Sequence, residues 1–134
     1  MERVLEDFAG LWRLEKRIET AGGSAARFEG VAEWAPVSDG LGGLAYVERG
    51  QLWVGQAAPL AAERRYLWRA GLEVIFDDGR YFHTVPAAGG RAQHSCPPDT
   101  YVVDYALESW PDFTATWQVT GPRKDYVMTA RYLR

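Results

Sequence analysis

Apolar and polar residues alternate with a period of two through most of the chain, the spacing of strands that turn one face to a core and the other to water. Glycine and proline interrupt the alternation at short intervals: Gly22-Gly23, Asp39-Gly40, Gly42-Gly43, Pro59, Gly71, Asp78-Gly79, Gly89-Gly90, Pro97-Pro98, Pro111 and Gly121-Pro122. Segments bounded in this way and rich in Val, Tyr, Trp and Thr predict an antiparallel meander. Its strands fall at 11–20, 26–35, 44–54, 62–69, 72–77, 80–85, 91–96, 100–108, 113–120 and 124–133. The start differs, because Val4, Leu5 and Phe8 recur at helical spacing among charges and predict a short helix over 2–9.

The faces follow from parity. On the first strand Trp12, Leu14, Lys16 and Ile18 share the inner side, with Lys16 the one polar member. On the second the inner set is Phe28, Gly30, Ala32 and Trp34. The third strand has two readings, since Tyr46, Glu48 and Leu52 oppose Val47 and Trp53. A two-residue Asp78-Gly79 loop, the favoured type I′ sequence, pairs Phe76 with Tyr81 and Asp77 with Arg80. A three-residue loop ending at Gly71 pairs Trp68 with Leu72 and Tyr66 with Val74. Both hairpins then share one inner face, Arg64, Tyr66, Trp68, Val74, Phe76, Tyr81 and His83. So many polar groups on an inner face suit a closed barrel better than a dry sandwich, and closure removes the exposed edges. The expected fold is an all-β, up-and-down antiparallel barrel of about eight to ten strands with a short N-terminal helix.

At 134 residues, 47% hydrophobic and 25% charged, the chain has the balance of one folded domain over its whole length. A net charge of −3 gives no electrostatic footprint for nucleic acid. No apolar run approaches the roughly 18 residues that cross a bilayer, and the opening MERVLEDF is too charged for a signal peptide. With one cysteine and hence no internal disulfide, the expected location is the cytoplasm. The unusual count is aromatic: six Trp, seven Tyr and five Phe.

Gly10-Leu11-Trp12, following the short helix and entering the first strand, resembles the G-x-W signature of the lipocalin and calycin superfamily. That resemblance implies a tryptophan at the closed end of the barrel, with Arg131 or Arg134 of the last strand over its ring. Exported lipocalins carry signal peptides and usually disulfides; lacking both, this chain is more similar to intracellular calycin-like barrels. The whole chain also resembles a bacterial family of short single-domain proteins with no established activity to transfer. The residues that carry this are Phe28-x-Gly30-x-Ala32, Tyr46-x-Glu48-x-Gly50, Tyr66-x-Trp68, Phe76-x-Asp78-Gly79-Arg80-x-Phe82-His83, His94-x-Cys96, Asp99-x-Tyr101 and Gly121-Pro122-Arg123-Lys124-Asp125-Tyr126.

Candidate chemistry concentrates on the inner face. Glu48 and Arg64 are expected to pair inside the barrel, because neither charge is tolerated there alone. Together with His83 and Lys124 they form the polar anchors of a ligand site walled by Tyr66, Trp68, Phe76 and Tyr126, with Tyr101 beside them. The expected partner is a small amphipathic or aromatic molecule carrying a polar or anionic group. An alternative on the same scaffold is a cofactor-free lyase or isomerase in which Glu48 moves protons while Arg64 and Tyr66 hold a carboxylate. A third is a barrel filled by its own aromatics. His83, His94 and Cys96 on one hairpin supply metal-ligand types, and a single histidine can hold haem. Structural histidines are commoner, and neither metal nor cofactor is expected. No phosphate loop, dinucleotide fingerprint or Gly-x-Ser-x-Gly elbow appears. An outer apolar patch of Ile75 with Phe82 would allow a homodimer.

Overall fold

The computed structural model describes residues 1–134 and contains ten strands with one short turn of helix. The strands are β1 (Gly10–Thr20), β2 (Ala25–Pro36), β3 (Leu44–Val54), β4 (Leu60–Arg69), β5 (Glu73–Phe76), β6 (Tyr81–Thr84), β7 (Gly90–Cys96), β8 (Asp99–Ala106), β9 (Phe113–Gly121) and β10 (Lys124–Leu133). They form one antiparallel sheet in the order β6-β5-β4-β3-β2-β1-β10-β9-β8-β7. Two meanders are thus joined by the pairing of β1 with β10, which aligns Leu14 with Tyr132 and Lys16 with Ala130. The sheet rolls into a nearly closed barrel. Its two edges, β6 and β7, share no backbone ladder; side chains bridge the seam, the Phe82 and His94 rings lying 5.3 Å apart.

The helix expected over 2–9 shrinks to a single 3-10 turn, Leu5–Phe8. Leu5 and Phe8 are buried while Val4 is 55% exposed, because one turn can bury only one edge. Phe8 drops into the closed end and meets Trp34, Trp68, Trp110 and Phe113 at 5.0–5.6 Å. Trp12 joins the same cluster and donates from Nε1 to the Phe8 carbonyl at 2.8 Å. Arg134, not Arg131, lies over the Trp12 ring at 4.3 Å and donates to the carbonyls of Asp7 and Ala9 at 3.0 and 2.7 Å. One guanidinium therefore ties the end of β10 to the turn that plugs the barrel.

Two expected registers shift. Tyr66 pairs with Phe76 rather than Val74, and Trp68 with Val74. The loop still has three residues but occupies Ala70-Gly71-Leu72, one position later, since Arg69 pairs with Glu73. Leu72 takes a left-handed φ of 61° and buries its side chain to 2% exposure. A slip of two keeps every face, so Tyr66, Val74 and Phe76 remain on one side. The β5–β6 hairpin changes more. Ile75 pairs with Tyr81 and Val74 with His83, with a bulge between. The extra residue is Phe82, which turns inward to 5% exposure while Tyr81 turns out to 53%. Tyr81 is consequently not an inner residue, and no outer Ile75–Phe82 patch forms. Arg80 pairs with Asp78 at 2.7 Å instead of with Asp77.

β2 and β3 bring Gly30 opposite Gly50. A Cβ on Gly30 would sit inside contact distance of the Arg49 carbonyl oxygen, and one on Gly50 would meet that of Glu29. Only glycine permits backbones this close. Gly30→Ala is expected to lower stability by about 3 kcal/mol, at the upper end of overpacking costs. A urea midpoint equal to that of the unmutated protein would remove the close approach as a constraint.

Candidate functional site

Above the aromatic plug, alternate inner residues of β1, β3, β4, β5, β6, β8, β9 and β10 enclose a cavity of about 80 Å³. Its walls are Trp68, Val74, Phe82, Trp117, Val119, Met128 and Ala130, with Lys16, Glu48, Arg64 and His83 among them. Six of the seven tyrosines also line it: Tyr46, Tyr66, Tyr101, Tyr105, Tyr126 and Tyr132.

The floor is organised by a buried ion pair. Lys16 and Glu48 are 8% and 4% exposed, and the Lys16 ammonium donates to Glu48 Oε1. Tyr46 donates its hydroxyl proton to Glu48 Oε2. The Tyr46 and Tyr132 hydroxyls are 2.8 Å apart, and because the Tyr46 proton is committed to the carboxylate, Tyr132 is the donor between them. Both carboxylate oxygens are thereby engaged. Lys16 reaches a strand that does not adjoin its own because the residues between them on β2 are small: Leu14 faces Gly30, and Glu48 faces Ala32. The Phe28 ring lies 5.2 Å from the ammonium. Burial lowers the Lys16 pKa, with Glu48 opposing that shift. Burial also raises Tyr46 and Tyr132 well above the ordinary phenol value, so both stay neutral donors.

A second polar unit occupies the wall. The bulge that inserts Phe82 also seats His83, 3% exposed, with Nε2 at 2.9 Å from the Tyr105 hydroxyl and Nδ1 unpaired. Burial, aided by the charge of His94, pushes the His83 pKa down to about 3. The imidazole is neutral at pH 7.

Glu48 and Arg64 are direct cross-strand partners, yet they form no ion pair, and Lys16 takes the carboxylate that was expected to hold Arg64. Arg64 stands at the open mouth, exposed and without an acidic partner. Tyr66, Trp68, His83, Tyr101 and Tyr126 come together with it around the cavity. Phe76 does not, because it stacks behind Phe82 at 4.4 Å and fills the seam. Lys124 lies outside as well, donating to the Tyr101 hydroxyl at 3.0 Å and pairing with Asp99 at 3.0 Å. His94 faces the Phe76 and Phe82 rings, and no three His, Cys, Asp or Glu side chains gather as a metal site would require. Lys16, Tyr46, Tyr105 and Tyr132 were absent from the expected site. Lys16 carried a signal, as the one charge on an otherwise apolar strand face.

The sequence matches, over residues 8–134, a family described as a family of unknown function (DUF6314). No curated protein matches. Among solved structures, the S-type phycobiliprotein lyase CPES from Guillardia theta superposes with a TM-score of 0.70 at 7% identity, over 97% of this chain and 89% of that one. A looser likeness, TM-score 0.46 at 13% identity, is to a de novo designed fluorescence-activating β-barrel, over 97% of this chain and 95% of that one. The lyase shares the barrel fold and, at this identity, hardly any residues.

Two stability results are expected. Because His83 is held neutral with a folded pKa near 3 against an ordinary value of 6.5, the unfolded chain takes up the proton first and stability falls as pH drops below 6.5. At pH 5 the loss attributable to this group is about 2 kcal/mol relative to pH 7.5. Chemical denaturation of His83→Gln should show that part of the acid dependence missing; an unchanged slope would contradict the buried neutral imidazole. Lys16→Met should cost about 3–5 kcal/mol by stranding Glu48, whereas Lys16→Met with Glu48→Leu should recover most of it. A double variant no more stable than the single would show that the two charges do not depend on each other.

Proposed function

For this chain, which belongs to the DUF6314 family, we propose that the barrel binds a small planar or amphipathic molecule whose apolar part enters the tyrosine-lined cavity and whose anionic group meets Arg64. The observation that carries this is the division of labour between two cations. Lys16 is consumed by Glu48 inside the protein, while Arg64, at the rim of the same cavity, has no carboxylate partner. A guanidinium beside an apolar cup is the usual means of fixing a carboxylate or similar anion. The neutral phenols of Tyr66 and Tyr126 flank it, and burial raises both above the ordinary value. At about 80 Å³ the cavity is smaller than the roughly 150 Å³ that takes benzene. A ring therefore enters as Arg64 and Met128 rotate outward at the mouth.

Binding is favoured over acid–base catalysis by Glu48. Glu48 is 4% exposed and gives one oxygen to Lys16 and the other to Tyr46, so its nearest proton-transfer partners are this chain's own side chains rather than a substrate. The small-molecule reading also agrees with a barrel whose interior is polar at the floor and aromatic at the walls.

Calorimetric titration tests it, using planar aromatic carboxylates such as cinnamate, each paired with its neutral alcohol. The unmutated protein is expected to prefer the carboxylate. Arg64→Met should weaken the carboxylate about tenfold or more, the value of one charge-assisted contact, and leave the alcohol unchanged. Equal loss for both compounds, or no saturable binding of either, would overturn the assignment.

A further inference from the structure

Resting on the reading of the interior as a binding site, we propose that Lys16 captures an aromatic aldehyde as a protonated iminium, with Glu48 as its counter-ion. The cavity holds one primary amine, and it is this one. The chain has only two lysines, and its other cations are arginines. A purely structural ion pair is served at least as well by a guanidinium, which is more weakly hydrated and offers a fixed fork of donors. What an ammonium has and a guanidinium lacks is the capacity to become a nucleophile when desolvated. Lys16 combines that capacity with 8% exposure, an adjoining carboxylate and aromatic surroundings.

Charge conservation makes the reaction compatible with this site. Lys16 Nζ begins as an ammonium paired with Glu48. Glu48 accepts a proton from it, the freed amine attacks the aldehyde carbon, and a C–N bond forms as the carbonyl oxygen gathers protons. Water leaves when the nitrogen lone pair expels it, and the nitrogen keeps one hydrogen. The net change is ammonium plus aldehyde to iminium cation plus water, with no change in oxidation state. The nitrogen carries the same positive charge before and after, so Glu48 is never left as a lone buried anion. Burial draws the Lys16 pKa below its ordinary value, which favours the nucleophilic form. Apolar walls around Trp117, Phe82 and Trp68 keep out the water that would hydrolyse the product.

The ligand class follows: an aldehyde on a planar apolar body, bearing an anionic group for Arg64 at the opposite end. The test uses 4-formylbenzoate with cyanoborohydride, which reduces an iminium to a stable secondary amine. Intact mass and peptide mapping of the unmutated protein are then compared with calorimetric binding of 4-(hydroxymethyl)benzoate, which cannot condense. One adduct mapped to Lys16, with Lys124 and the N-terminal amine unlabelled, is the expected result. Lys124 is exposed and paired with Asp99, so it serves as the internal control. The adduct should be lost in Lys16→Met paired with Glu48→Leu, a combination that leaves no stranded charge. Labelling confined to Lys124 or the N-terminus overturns the proposal. Binding of the alcohol with no adduct overturns the covalent step while the binding site stands. Neither binding nor adduct overturns both.

Discussion

Withdrawing an ammonium and a carboxylate from water costs several kcal/mol per ion, and the interior of this barrel is arranged so that neither charge meets that cost alone. Lys16 on β1 and Glu48 on β3 meet above β2, whose inner residues Gly30 and Ala32 are too small to block them. The same Gly30, opposite Gly50, allows β2 and β3 to approach closely there. Close strand approach and charge pairing thus both draw on Gly30. A larger residue at either glycine would collide with the facing backbone and force the two strands apart. Tyr46 completes the arrangement by donating to the second carboxylate oxygen, and Tyr132 donates in turn to Tyr46.

Below this layer the barrel is closed by rings alone, with Phe8 at the centre and Trp12, Trp34, Trp68, Trp110 and Phe113 around it. Above it the side chains become phenols and then, at the rim, one cation without a carboxylate partner, Arg64. Polarity is thus concentrated at two levels, the ion pair at the floor and Arg64 at the mouth, with aromatic walls between them. The lyase from Guillardia theta shares this barrel fold at 7% identity.

Much of the architecture was legible because period-two alternation is a direct record of which side of a strand is wet. It placed ten strands and set the inner faces of β1, β2 and β4 from residues such as Trp12, Phe28 and Trp68. It failed at Phe82, where a bulge reverses parity within one residue, and alternation carries no mark of where a partner strand skips. Face assignment also says nothing about which charges on the same face find each other. Arg64 lies directly across from Glu48, yet the carboxylate goes to Lys16, which reaches it over small residues of β2. Tyr105 and Tyr132 escaped notice for a related reason: an inner tyrosine resembles core until the hydroxyl's partner is known, here His83 and Tyr46.

The pairing of β1 with β10 carries a consequence for how the barrel comes into being. β1 is the first strand to be synthesised and β10 the last, and their ladder joins the two meanders into one sheet. Every other pairing in the sheet joins neighbours in sequence and can form as the chain lengthens. One edge of β1 must wait, open and hydrogen-bond hungry, until nine further strands have been made. Contacts of such long sequence separation are slow to form, and an unpaired edge is an invitation to other chains. The Arg134 guanidinium, locked onto Trp12 and the turn before it, is in this sense a clasp that fastens only once the strands between have been laid down.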